Sequence, residues 1–284
     1  MDYSSEEIES LYEAAMEHFE NEEYEQALPL LVNCASKNHA ESQLQLGIMY
    51  SVGYGVTVSL KDAAGQFRAA AEQGCTEAQG YLGRAYLYGE GVEQSNRKAV
   101  KWLTMAAESN DAGALNCLAY MYHEGMGCDV SMEKALELYL RAVDEGDPDA
   151  AYNAGSMYLK GEGCEASEEK ATEMFRLAAE NEDPQAMIEL GLIVGGNEAL
   201  ELFRKAWDLG EPDGLYHYAI IHNDPRDMLW EAAEAGSTKA LNALAGMVES
   251  GEFPRLDAIY QVLLRKCPEE QESYEEFLRI IGRE

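Results

Sequence analysis

The stretch Gly83-Arg84-Ala85-Tyr86-Leu87-Tyr88-Gly89-Glu90-Gly91-Val92 decides the fold, because the chain repeats it. Gly47, Gly83, Ala119, Gly155 and Gly191 follow one another at steps of 36 residues, and Tyr50, Tyr86, Tyr122 and Tyr158 keep that step three positions later. The pairs Gly53/Gly55, Gly89/Gly91, Gly125/Gly127 and Gly161/Gly163 keep it as well. A fixed period of this length marks a stacked array, in which each unit buries its apolar face only against its neighbours. The period predicts an all-α chain of stacked helix-turn-helix repeats.

Each regular unit reads as two helices. In the first, helix A, a small residue follows an apolar one (Leu46-Gly47, Leu82-Gly83, Leu118-Ala119, Ala154-Gly155), so a second helix can approach closely. The tyrosine three positions on shares that face and fills the space between units. Helix B carries Phe67, Leu103, Tyr139 and Phe175, followed three residues later by Ala70, Ala106, Ala142 and Ala178. Large-then-small at that spacing is a buried helical seam. Between the helices, the first Gly of each pair closes helix A and the second permits a tight reversal. Val56, Val92, Cys128 and Cys164 then tuck beneath the loop, and Ser59, Ser95, Ser131 and Ser167 stand where an N-cap for helix B belongs. Gly74, Asn110 and Gly146 end three B helices with residues tolerant of positive φ, and Glu182 takes that place in the fourth.

This cadence divides the chain into four parts. Residues 1–38 form a helix pair with a shorter loop, and 39–182 hold four regular repeats. Residues 183–266 hold three irregular pairs without Gly-x-Gly loops, where Gly195-Gly196 and Asn223-Asp224-Pro225 make abrupt turns. Residues 267–284 read as a C-terminal capping helix with Tyr274, Phe277, Leu278 and Ile281 on one side, covering the last open seam.

Composition narrows the function. Lys and Arg number 21 against 53 Asp and Glu, a net charge of −32. Phosphate backbones and anionic membranes repel such a chain, so nucleic acid and lipid surfaces are set aside. Either solubility or a cationic partner accounts for the charge. No apolar run reaches membrane-spanning length and the N-terminus lacks a leader pattern, so a cytoplasmic protein is expected. The six cysteines show no metal-type spacing. Cys128 and Cys164 are equivalent in consecutive units, at least one helix diameter (roughly 8–10 Å) apart, beyond the about 7 Å that a disulfide spans. They read as small buried apolar residues in a reducing compartment.

The pattern Ala78…Leu82-Gly83…Tyr86…Gly89…Gly91-Val92, then Lys98-Ala99 and Ala106-Ala107-Glu108, resembles the Sel-1-like repeat, a relative of the tetratricopeptide repeat. The match is full over 39–182 and partial over 183–266, and the first pair is more like an ordinary tetratricopeptide unit. The resemblance implies a right-handed α/α superhelical solenoid whose A helices line a concave face. It also implies an adaptor that joins proteins, with no shared catalytic residues to carry over. The paired-cysteine staple of some secreted bacterial relatives is missing from this sequence.

If helix A packs as in those relatives, residues three before the small residue and one, four and five after it project inward. These are Leu44, Ile48, Ser51 and Val52; Gly80, Arg84, Leu87 and Tyr88; Asn116, Tyr120, His123 and Glu124; Tyr152, Ser156, Leu159 and Lys160. Arg84, Tyr88, Asn116, Tyr120, His123, Tyr152, Ser156 and Lys160 are the candidate partner contacts. Tyrosines among isolated polar groups suit peptide capture, giving area and a hydrogen bond at low entropic cost. Arg84 and Lys160 either meet a ligand or offset neighbouring glutamates.

Three patterns imitate active sites. Ser95…Lys98, Ser131…Lys134 and Ser167…Lys170 have the Ser-x-x-Lys spacing of penicillin-recognising enzymes, yet recur in phase at loop-to-helix boundaries without companion motifs. The Gly-x-Gly pairs follow helices rather than strands, so they are turns rather than dinucleotide loops. His18, His39, His123, His217 and His222 form no metal-ligand spacing. The expected function is therefore a non-catalytic adaptor without cofactor or metal, binding a protein or peptide, a basic one among the candidates, along the concave face. The alternatives are a self-assembling homo-oligomeric scaffold and a serine hydrolase of β-lactamase type.

Overall fold

A computed structural model of the protein describes residues 4–221 and 226–249. Every element among the described residues is an α-helix. Helices α1 (Ser5–Glu20) and α2 (Tyr24–Ser36) make the opening pair. The regular repeats follow as α3 (Ala40–Val52) and α4 (Leu60–Ala71), α5 (Thr76–Tyr88) and α6 (Asn96–Glu108), α7 (Ala112–Glu124) and α8 (Met132–Asp144), then α9 (Asp149–Lys160) and α10 (Glu168–Glu180). The contracted part holds α11 (Pro184–Val194), α12 (Gly196–Asp208), α13 (Pro212–Ile221), α14 (Arg226–Ala235) and α15 (Thr238–Glu249). This is an α/α solenoid of stacked hairpins. The chain divides into two compact units, Met1–Ala166 and Ser167–Glu284.

In the first unit consecutive helices from α1 to α9 pack on one another. Helix α5 also touches α7, while the B helices α4, α6 and α8 meet one another little or not at all. The small residue sets the hairpin: a Cβ at Gly83 would stand 2.6 Å from Leu103 Cγ, and one at Gly47 would enter the Phe67 ring. Phe67, Leu103 and Tyr139 are all buried.

The tyrosine fastens one hairpin to the next. Tyr86 is 6% exposed; its hydroxyl accepts from Arg68 Nη2 on α4 at 2.9 Å, and Lys98 Nζ on α6 lies 5.0 Å from its ring centre. Lys134 Nζ takes the same place, 5.2 Å from the Tyr122 ring. The backbone carbonyls of Tyr50, Tyr86 and Tyr122 accept from the N–H groups of Ser59, Ser95 and Ser131 at 2.8–3.0 Å, closing the loops.

The loops work as a second fastening. Gly89 ends α5 in the left-handed region at φ 76°, its N–H bonding the Ala85 carbonyl. Gly91, at φ 69°, lies so close to the first turn of α4 that a Cβ would overlap the Leu60 carbonyl. Gly127 stands in the same way over Asn96, and Gly163 over Met132. Ser59, Ser131 and Ser167 accept from the backbone N–H three residues on, as N-caps do; Ser95 holds the position without that bond. Asn110 and Glu182 both reach positive φ, at 60° and 64°.

The cysteines are less buried than the sequence predicts. Cys34 is buried, but Cys75 before α5, Cys117 within α7, and Cys128 and Cys164 in the loops are only partly buried. None of these five forms a disulfide.

The second unit keeps the hairpin seam without the long loop. A Cβ at Gly191 would stand 2.5 Å from Phe203 Cε1, so α12 sits on α11 as closely as α6 sits on α5. Gly195, at φ 65°, alone joins the two helices. Leu215, Leu229, Leu241 and Leu244 continue the core through α13, α14 and α15. The Asn223-Asp224-Pro225 turn, the second helix of the last pair and the cap at 267–284 lie outside the described residues.

Candidate interaction surface

The predicted inner rows of the A helices separate into two classes. Arg84, Tyr88, Tyr120 and Lys160 are exposed, Tyr88 by 57% and Tyr120 by 43%. Asn116, His123, Tyr152 and Ser156 are half-buried. Leu44, Gly80 and Leu87, expected to project from the inner face, are instead buried. The cause is helical geometry. At about 100° per residue, the position four after the small residue lies only about 40° from it, and the one three before about 60°. Both lean toward the hairpin core, while positions one and five after it turn away.

Helices α5 and α7 bring part of the set together. The Tyr88 hydroxyl is pushed to a higher pKa by burial and then by the Cys117 thiol, with Arg84 opposing and Tyr120 adding to the rise. Burial likewise raises the Cys117 thiol, with Arg84 opposing. Arg84, Tyr88, Cys117 and Tyr120 thus share one neighbourhood. Arg84 also lines a cleft of about 350 Å³ with Glu77, Tyr81 and Asp111. Neither Arg84 nor Lys160 has a carboxylate partner within 4.0 Å among the described residues.

Two of the predicted residues are engaged in holding hairpins together. Asn116 Nδ2 donates to Asp147 Oδ2 at 3.1 Å. His123 lies 2.7 Å from Glu124 through Nδ1 and 3.1 Å from Glu162 through Nε2, tying α7 to the loop after α9. Burial works against protonation of His123, but the bonds to Glu162 and Glu124 outweigh it and raise its pKa above the ordinary value.

The second unit exposes the same register position. Leu192 follows Gly191 and Ile220 follows Ala219, and both are about half exposed, at 53% and 52%. They occupy the place of Arg84 and Tyr120 in their own repeats. The 36-residue step at Gly191 is the signal that finds Leu192; the contracted loop hides the next one.

The Ser-x-x-Lys pairs are arranged for capping. Ser131 Oγ accepts from the Lys134 backbone N–H, and the Lys134 and Lys98 ammonium groups stand over tyrosine rings. Among the described residues no three His, Cys, Asp or Glu side chains are grouped to hold a metal, and no helix is long and apolar enough to cross a membrane.

Comparison with known proteins agrees with this architecture. The chain superposes on the crystal structure of c5321, a protective antigen present in uropathogenic Escherichia coli strains displaying an SLR fold, with a TM-score of 0.79 at 24% identity. That match covers 98% of this chain, which spans 66% of the other. The Sel1 repeat protein from Oxalobacter formigenes matches with a TM-score of 0.72 at 26% identity, over 80% of this chain and 97% of its own. No curated protein matches the sequence. The family model of the Sel1 repeat matches residues 40–75, 76–111, 112–147, 148–183 and 184–211, more than half of the chain. The chain belongs to the Sel1 repeat family.

Proposed function

We propose that the first unit is a non-catalytic adaptor that binds an extended segment of another protein along the exposed rows of its A helices. One observation carries this reading: Tyr88 and Tyr120 stand exposed in one neighbourhood with Arg84, whose guanidinium has no ion-pair partner among the described residues. Exposed aromatic side chains beside an unpaired Arg have the composition of binding hot spots. Membership of a family of protein-interaction repeats supports the same class of function. The net charge of −32 favours a partner that is basic overall, met in the cytoplasm.

The test is recovery of a partner from the native cell by the unaltered chain and by Arg84→Glu with Tyr120→Ala. The double variant is expected to keep its helical circular dichroism and to lose the partner. Equal recovery by both forms contradicts the reading.

A further inference from the structure

Two slots between successive B helices differ in ways that point to a second ligand. Between α6 and α8 the slot measures about 230 Å³ and is lined by Leu118, Tyr122, Lys134 and Leu138 among others. The tyrosine of helix A occupies it, with the Lys134 ammonium over the ring. In the second unit the corresponding slot, between α10 and α12, measures about 550 Å³. Leu190 and Leu202 replace Leu118 and Leu138 on its floor, with Met187 beside them. Val194, three residues after Gly191, stands in the tyrosine's place, and its side chain does not line the slot.

The charge around this opening is reversed as well. Glu198, third residue of α12, holds the position that Lys134 holds in α8, so the cation over the ring has become a carboxylate. Glu198 pairs with Arg176 across the rim at 2.8 Å. Glu180, Glu182, Glu201 and Asp208 also line the slot, and none of them makes an ion pair among the described residues. Lys205 is the other cation there. At Tyr86 and Tyr122 the molecule fills this space with an aromatic ring capped by a cation. In the second unit it supplies neither, and lines an apolar floor with unpaired carboxylates.

We propose that this slot docks a segment of a basic partner protein. An aromatic side chain of the partner enters where the repeat tyrosine would stand, and a flanking Lys or Arg meets Glu201 and Glu180. A second copy of this chain is a poor occupant on charge, since each copy carries −32. The slot shares no residue with the A-helix rows of the first unit.

Panning a random peptide library displayed on phage against the full chain tests the proposal. Selected peptides are expected to carry an aromatic residue beside Lys or Arg. Their affinity, measured by fluorescence anisotropy, is expected to fall about 10-fold or more in Val194→Tyr, which refills the slot with the array's own residue. Glu201→Lys should cause a similar loss, and it decides the matter should Val194→Tyr not fold. Arg84→Glu should leave this binding unchanged, so failure of the adaptor surface is read separately. Absence of enriched peptides, enrichment without the aromatic-basic pair, or undiminished affinity in both slot variants overturns the proposal. So does a dimer in sedimentation that Val194→Tyr abolishes, which would make a second copy the occupant.

Discussion

Helices α5 and α6 are joined by residues 89–95, whereas α11 and α12 are joined by Gly195 alone, yet both pairs close on the same small-against-large seam. The long loop is therefore not what makes a hairpin. Its contacts show what it does: Gly91 rests on Leu60, Gly127 on Asn96 and Gly163 on Met132, in each case the start of the preceding B helix. The tyrosine of helix A bridges the same two hairpins. Loop and tyrosine are missing together from α11, so the array drops its two inter-hairpin fastenings as a set and keeps the seam.

The largest effect is expected from Gly91→Ala. The new Cβ meets the Leu60 backbone at a φ of 69°, adding overpacking to left-handed strain, a cost of about 3 kcal/mol. Gly195→Ala meets open space, but at φ 65° and ψ −174° it forces a conformation essentially reserved for glycine, and should cost about 2 kcal/mol. Urea denaturation of both variants compares the two connections, and equal losses would break the distinction.

Tyr86→Val comes next, at about 2 kcal/mol, from a deleted ring and an orphaned Arg68 bond. Val194→Tyr, the reverse change in the second unit, should leave the melting temperature unchanged or raise it, since it fills existing space. Ser131→Ala should cost about 1 kcal/mol as a lost N-cap. Ser95→Ala, at the same register position without the cap bond, should stay within about 0.5 kcal/mol.

The smallest contrast is in pH. The His123 pKa is raised in the folded chain, so its contribution is full below the unfolded value near 6.5 and is lost as pH rises through the folded value. The His217 pKa is lowered by burial and then by Lys239, with Asp213 opposing; its contribution is present above the unfolded value and lost as pH falls through the folded one. NMR titration of the two rings should give apparent values on opposite sides of 6.5, and Glu162→Gln should bring His123 back toward it.

Much of this was legible in the sequence, because a register repeated several times states each contact several times. The Gly83 approach to Leu103, the left-handed closure at Gly89 and the Ser131 cap each follow from residue type at a fixed offset. The buried positions of Leu44 and Leu87 did not follow, since an inner face assigned by offset ignores how far each offset rotates toward helix B. Nor did the contact of Gly91 with Leu60, which depends on how one hairpin meets the next. The open slot at Val194 was hidden for a similar reason: a missing side chain shows only against the filled slots beside it. Arg84 and Tyr120 could be named as inner residues from the sequence, but their sharing of a neighbourhood with Tyr88 and Cys117 needed three dimensions.

Site-specific photo-crosslinking tests the binding face most directly. A benzophenone amino acid is placed at Tyr88, on an A helix, or at Met105, an exposed position on the B helix α6 of the same unit. In the native cell, the account predicts that the Tyr88 probe yields a crosslinked partner band that Arg84→Glu with Tyr120→Ala removes, while the Met105 probe yields none. Crosslinking from Met105 and not from Tyr88 would contradict it.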